Sequence, residues 1–151
     1  MIEIQTILVP TDFSDCASVA VRYAKQMAEK FNSRIHLLYV IPDSSLVLPE
    51  AIVPAVTQIP DITEMQKSAG EGLHKVVEEF GLENFQVTFE SRLGSPADEI
   101  IGAAKDSSAN LIVIGTHGRG AIAHFLLGSV AEQVVRHAPC PVLTVRIPST
   151  T

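Results

Sequence analysis

Residues 111–120 read LIVIGTHGRG, an apolar run of four that passes directly into a glycine-rich turn. Four consecutive branched or aliphatic residues with no polar alternation suit a central strand covered on both faces. Three glycines within the next six positions, Gly115, Gly118 and Gly120, exceed what one sharp turn requires. A strand followed by such a turn is the entrance of an α/β unit, and its neighbours decide whether the chain repeats that unit.

Upstream, Ser95-Pro96-Ala97-Asp98 carries a serine to cap, a proline for the first helical position and an acid three residues after the cap. That start predicts a helix through Ile100, Ile101 and Ala104 to Ser107-Ser108. Before it, residues 85–92 alternate as a strand, and residues 61–80 predict a helix stopped by Gly81. Residues 34–40 (RIHLLYV) and 4–10 (IQTILVP) predict strands. Between them, Ala17, Ala20, Val21, Ala24, Met27, Ala28 and Phe31 keep helical spacing up to Asn32-Ser33. Residues 41–60 contain Pro42, Pro49, Pro54 and Pro60 and predict a long functional loop or lid.

Downstream, Val130, Val134, Val135 and Ala138 predict a last helix, stopped by Pro139-Cys140-Pro141, and residues 142–147 a fifth strand. The order β-α-β-α-β-α-β-α-β predicts an α/β fold: a single doubly wound domain over residues 1–151, with a five-stranded parallel sheet and helices on both faces. The strand order stays open. The last strand is expected at a sheet edge, blunted by Pro141, Arg146 and Pro148 or covered by a partner.

Composition narrows the function. The 151 residues are 46% hydrophobic and 19% charged, enough apolar matter for a core. A net charge of -6 argues against a general nucleic-acid binder, which needs a basic face. No run of roughly 20 apolar residues suggests a membrane span, and the start lacks the pattern of a signal peptide. Cys16 and Cys140 form no C-x-x-C pair, so reduced thiols and a cytoplasmic setting are expected. His36, His74, His124 and His137 have no metal-ligand spacing.

Ligands of open parallel sheets bind beyond the carboxyl ends of the strands. Two such ends hold unusual residues: Pro10-Thr11-Asp12, and Gly115 onward to Gly128-Ser129. Glycines allow close backbone approach, a helix N-terminus offers free amides, and Arg119 adds a cation. Together these suit a polyphosphate. Neither a G-x-x-x-x-G-K-[ST] loop nor a G-x-G-x-x-G turn after the first strand is present, so a P-loop or dinucleotide site has no support. Purely structural roles compete. Asp12 fits a helix cap, and Ser129-Val130-Ala131-Glu132 reads as a capping box. His117 is tempting for catalysis but has no acid or nucleophile at a motif-like spacing.

Gly115, two residues, Gly118, nine residues, then Gly128-Ser129 resembles the G-x2-G-x9-G-[ST] signature of the universal stress proteins. The resemblance extends to ILVPTDFS at 7–14, GTHGRG at 115–120 and LLGSVAEQVVRHAPCPVLTV at 126–145, and so covers nearly the whole chain. It implies a Rossmann-like fold of the adenine nucleotide alpha hydrolase type. It also implies membership of the ATP-binding subgroup, with Mg²⁺ carried on the phosphates. Carried over, the adenosine side would be Pro10, Thr11, Asp12 and Val40. The ribose and phosphate side would be Gly115, Gly118, Arg119, Gly128, Ser129 and Val130. Ala131 replaces a hydroxyl residue found in some ATP-binding relatives. The resemblance further implies a homodimer that pairs Val142–Ile147 across a two-fold axis.

Three functions follow as alternatives: an ATP-binding stress-response regulator, a slow ATP hydrolase or phosphotransferase, and a dimeric scaffold without nucleotide. Gly118→Val and Gly128→Val are expected to abolish nucleotide binding in a folded protein.

Overall fold

The computed structural model describes residues 1–43, 61–117 and 127–147. Its elements alternate as β1 (Thr6–Pro10), α1 (Asp15–Phe31), β2 (Arg34–Pro42), α2 (Ile62–Glu79), β3 (Val87–Gly94), α3 (Pro96–Asp106), β4 (Leu111–Gly115), α4 (Ser129–His137) and β5 (Val142–Val145). The five strands form one parallel sheet in the order β3-β2-β1-β4-β5. The expected α/β architecture therefore holds, and β5 lies at an edge. The chain winds outward from β1 to β3, then crosses to the other side of β1 to lay down β4 and β5. The winding reverses between β1 and β4.

Alternation along the central strands divides the core. Ile7 and Val9 of β1, with Leu111 and Val113 of β4, face α1 and α2. Leu8, Ile112 and Ile114 face α3 and α4. Ile112 and Val113 are fully buried on opposite faces, each contributing roughly 1.5–3 kcal/mol of burial. The helices meet the sheet with small residues, Ala20, Ala24 and Ala28 from α1 and Ala97, Ala103 and Ala104 from α3. That choice lets the helix backbones approach the sheet closely.

Helix ends follow local chemistry, with some departures from expectation. Asn32 closes α1 in the left-handed region (φ 55°), and Gly81 (φ 63°) follows the last turn of α2. Ser95 stands at the N-cap of α3 with Pro96 behind it, yet its side chain makes no capping bond. β2 runs on through Pro42, two residues beyond the expected end. Proline is tolerated there because β1 has ended, while β3 still pairs on the other side, Pro42 with Gly94. β5 ends at Val145, short of the expected 147. The remainder of the proline-rich stretch, 44–60, lies outside the described residues.

The β3 edge is tied down by charge. Arg92 lies 3.2 Å from Glu90 and 2.8 Å from Asp106 of α3. That link helps hold α3, whose first turn reaches the carboxyl end of the sheet.

Candidate nucleotide site

The reversal of winding leaves a crevice beyond the ends of β1 and β4, because the chain leaves these neighbours toward opposite faces. The crevice is a cleft of about 710 Å³. This lies within the range of ordinary small-molecule sites, about 300–1,000 Å³.

One wall is the β1–α1 junction. Thr11 N–H donates to the Leu38 carbonyl at 2.8 Å, extending the β1–β2 ladder by one bond. Thr11 Oγ1 then accepts from Phe13 N–H at 3.0 Å, and Asp12 Oδ1 accepts from Ser14 N–H at 3.0 Å. Ser14 caps α1, accepting from Ala17 N–H at 3.2 Å. Asp12 is therefore not the helix cap; it braces the turn one step earlier. The bracing holds Phe13 at φ 63°, an unusual conformation for a bulky residue. Its ring lies 4.8 Å from that of Tyr39, and both line the cleft.

Val40, Pro42, Pro96 and Ile100 make an apolar end where β2 and α3 converge. Nothing in the sequence pattern placed Pro96 and Ile100 here, because their arrival depends on strand order. The same holds for Phe13, Leu38 and Tyr39.

The opposite wall is the β4–α4 junction. Gly115 packs on α1: a Cβ there would stand 2.9 Å from Cys16 Sγ and 3.2 Å from the Cys16 backbone. Gly128 donates to the Thr116 carbonyl at 2.6 Å, and a Cβ on it would stand 2.7 Å from that oxygen. Both glycines are thus demanded by contacts within the protein. The expected Gly128→Val phenotype is corrected accordingly, since the valine would strike backbone before it reached any ligand.

The capping box is also corrected. Gly128, not Ser129, is the N-cap of α4, so the Ser129 hydroxyl does not serve as the cap. Gly128 takes that place because its approach to Thr116 fixes the chain one residue early, leaving Ser129 as the first helical residue, exposed at the cleft. Val130 and the buried Ala131 continue the wall, and Glu132 pairs with Arg136 at 2.8 Å.

Pro10, Thr11, Asp12, Val40, Gly115, Gly128, Ser129 and Val130 thus surround one cleft. Gly118 and Arg119 lie outside the described residues. His117 and Thr116, not counted as ligand contacts from sequence, line the cleft too, with Thr116 Oγ1 2.9 Å from His117 Nδ1. Cys140 lies elsewhere, half-covered against the α3/α4 core, where burial pushes its thiol pKa up. A raised pKa disfavours the reactive thiolate. Among the described residues no three His, Cys, Asp or Glu side chains are grouped to hold a metal ion, and no helix is long and apolar enough to cross a membrane.

A doubly wound parallel sheet with its cleft at the winding reversal defines an α/β protein of the Rossmann-like class. Within that class, the profile of the universal stress protein family matches residues 3–146. Universal stress protein MJ0531 of Methanocaldococcus jannaschii is 38% identical over 146 residues, spanning 94% of this chain and 82% of that protein. The solved structure of hypothetical protein MJ0577 superposes with a TM-score of 0.81 at 26% identity, covering 97% of this chain and 99% of that one. A universal stress protein solved in complex with cAMP superposes with a TM-score of 0.64 at 26% identity, covering 95% and 97%. The chain belongs to the universal stress protein family.

Proposed function

We propose that this protein binds an adenine nucleotide, ATP foremost, in the cleft between the ends of β1 and β4, and acts as a cytoplasmic stress-response regulator. The observation that carries the reading is the cleft itself: about 710 Å³, apolar at the β2–α3 end and bounded at the other by the N-terminus of α4, whose N-cap is the glycine Gly128. A helix N-terminus favours phosphate through its first amides and its dipole. A base favours the apolar end. The complex of a structural neighbour with cAMP supports an adenine ligand.

In this reading Pro10, Thr11, Asp12 and Val40 hold the adenosine part. Gly115, Gly118, Arg119, Gly128, Ser129 and Val130 hold the ribose and phosphates. Mg²⁺ arrives on the phosphates, which suits a cation that keeps much of its water.

The protein is further proposed to act as a homodimer through Val142–Ile147. β5 is an edge strand, Leu143 is only partly buried and Ile147 is half-exposed. Pairing would cover that edge. Sedimentation equilibrium should give a dimer mass, and a monomer at tens of micromolar would refute this part.

Calorimetric titration of nucleotide-stripped protein with ATP and Mg²⁺ tests the main reading. Micromolar binding is expected. No heat at millimolar ATP would remove the nucleotide and leave a scaffold.

A further inference from the structure

Phe13 holds a left-handed backbone, φ 63°, which a bulky side chain disfavours and which persists only where the surroundings fix it. Thr11 Oγ1 accepts its N–H at 3.0 Å, and Asp12 Oδ1 accepts the N–H of Ser14 at 3.0 Å. Those bonds fix the backbone of the turn. The ring is fixed from elsewhere. Its centroid lies 4.8 Å from that of Tyr39 on β2, and its far end reaches α2.

The contact on α2 is at Gly72. A Cβ there would stand 2.8 Å from Phe13 Cζ, 3.1 Å from Cε1 and 3.4 Å from Cε2. The tip of the ring thus occupies the place of a side chain. Gly72 lies in the interior of α2, where glycine weakens a helix relative to alanine. Gly70, in the same helix, has nothing within 4 Å of where its Cβ would stand. Both glycines weaken the helix, but of the two it is Gly72 that makes room for a side chain from another element.

Phe13 therefore joins two regions. Its ring packs on the α1/α2 core and also lines the cleft, beside Thr11 and Asp12. Among the described residues, α2 itself lends nothing to the cleft lining. We propose that Gly72 is a positioning residue: by seating the Phe13 ring, it holds the Thr11–Asp12 turn in register for the adenosine part of the ligand. This rests on the reading that the cleft takes an adenine nucleotide. It extends that reading by making a helix outside the cleft a support of the site, and it gives a physical reason for a mid-helix glycine.

The test is calorimetry with Mg²⁺-ATP and with AMP on the wild type, Gly70→Ala, Gly72→Ala, Phe13→Leu and the Gly72→Ala/Phe13→Leu double variant, with urea denaturation of each. Gly72→Ala puts a methyl where the ring tip lies, and ATP affinity should fall roughly fivefold, the worth of one misplaced hydrogen bond. AMP should lose the same factor, because the turn lies at the adenosine end. Phe13→Leu removes the three ring atoms that meet Gly72 and should weaken ATP binding as well. The double variant sets a shorter side chain against a filled notch, so it should bind ATP more tightly than either single variant. Gly70→Ala should raise the urea midpoint and leave ATP affinity unchanged.

Unchanged ATP affinity in both Gly72→Ala and Phe13→Leu, with only the urea midpoint moved, would mark a merely structural contact. It would overturn the inference and leave the nucleotide reading standing. So would losses that simply add in the double variant, or a loss for ATP without one for AMP. A wild type that binds neither nucleotide would remove both readings together. If circular dichroism shows Phe13→Leu unfolded, Gly72→Ala against Gly70→Ala decides the matter: equal ATP affinity in those two overturns the inference.

Discussion

After β1 the chain satisfies its own amides: Thr11, Asp12 and Ser14 side chains take the N–H groups of Phe13, Ser14 and Ala17 within 3.2 Å. After β4 the described junction is built differently. Helix α4 has Gly128 at its N-cap, a residue with no side chain to offer. The two junctions face each other across one cleft and have the same topology, strand to helix at the carboxyl end of the sheet. One is closed by side chains; at the other, among the described residues, the glycine N-cap bonds the Thr116 carbonyl through its backbone. A closed junction gives a rigid wall. A glycine N-cap leaves room for a ligand to approach the first amides of a helix.

The contrast can be broken most forcefully at Gly128. Gly128→Val forces a Cβ to within 2.7 Å of the Thr116 carbonyl. Overpacking of this kind costs about 1–3 kcal/mol. Urea denaturation should show that loss, with nucleotide binding lost as well because the wall has moved. A Gly128→Val protein of wild-type stability would mean that the close approach is not needed.

A smaller effect is expected at the closed junction. Ser14→Ala removes the α1 cap and should cost about 1 kcal/mol. The denaturation midpoint should fall at unchanged slope, while ATP affinity should not change, because Ser14 does not line the cleft and the substitution keeps its N–H bond to Asp12. Loss of ATP binding in step with stability would blur the distinction between the two junctions.

The smallest expected stability change is the most diagnostic. Ser129→Asp places an anion in the first turn of α4 and should stabilise the fold by about 0.3–1 kcal/mol through the helix dipole. The same carboxylate repels phosphate, so ATP affinity should fall while the melting temperature rises. Movement of both quantities in one direction would contradict an open anion site.

Much of this was legible in the sequence. Periodicity and punctuation placed all nine described elements to within a few residues, and the apolar run Leu111–Ile114 does lie buried on both faces. The strand order was not legible, because parallel strands of similar apolar composition carry no label of their neighbours. The cleft could therefore be anticipated at strand ends, but its α3 contributions, Pro96 and Ile100, could not. The capping pattern at Ser129 misled for a different reason. A serine three residues before a glutamate fits a capping box locally, yet the tertiary contact of Gly128 with Thr116 sets the helix start one residue earlier. Phe13 in the left-handed region is a similar case, fixed by side-chain bonds that no propensity announces.

The central claim, an adenine nucleotide bound between these two junctions, is tested most directly by amide NMR of labelled protein titrated with Mg²⁺-ATP. Gly128, Ser129 and Val130, together with Thr11, Asp12 and Val40, should shift saturably, while Val87, Thr88 and Phe89 of the β3 edge stay still. Shifts confined to another surface, or none at millimolar ATP, would contradict it.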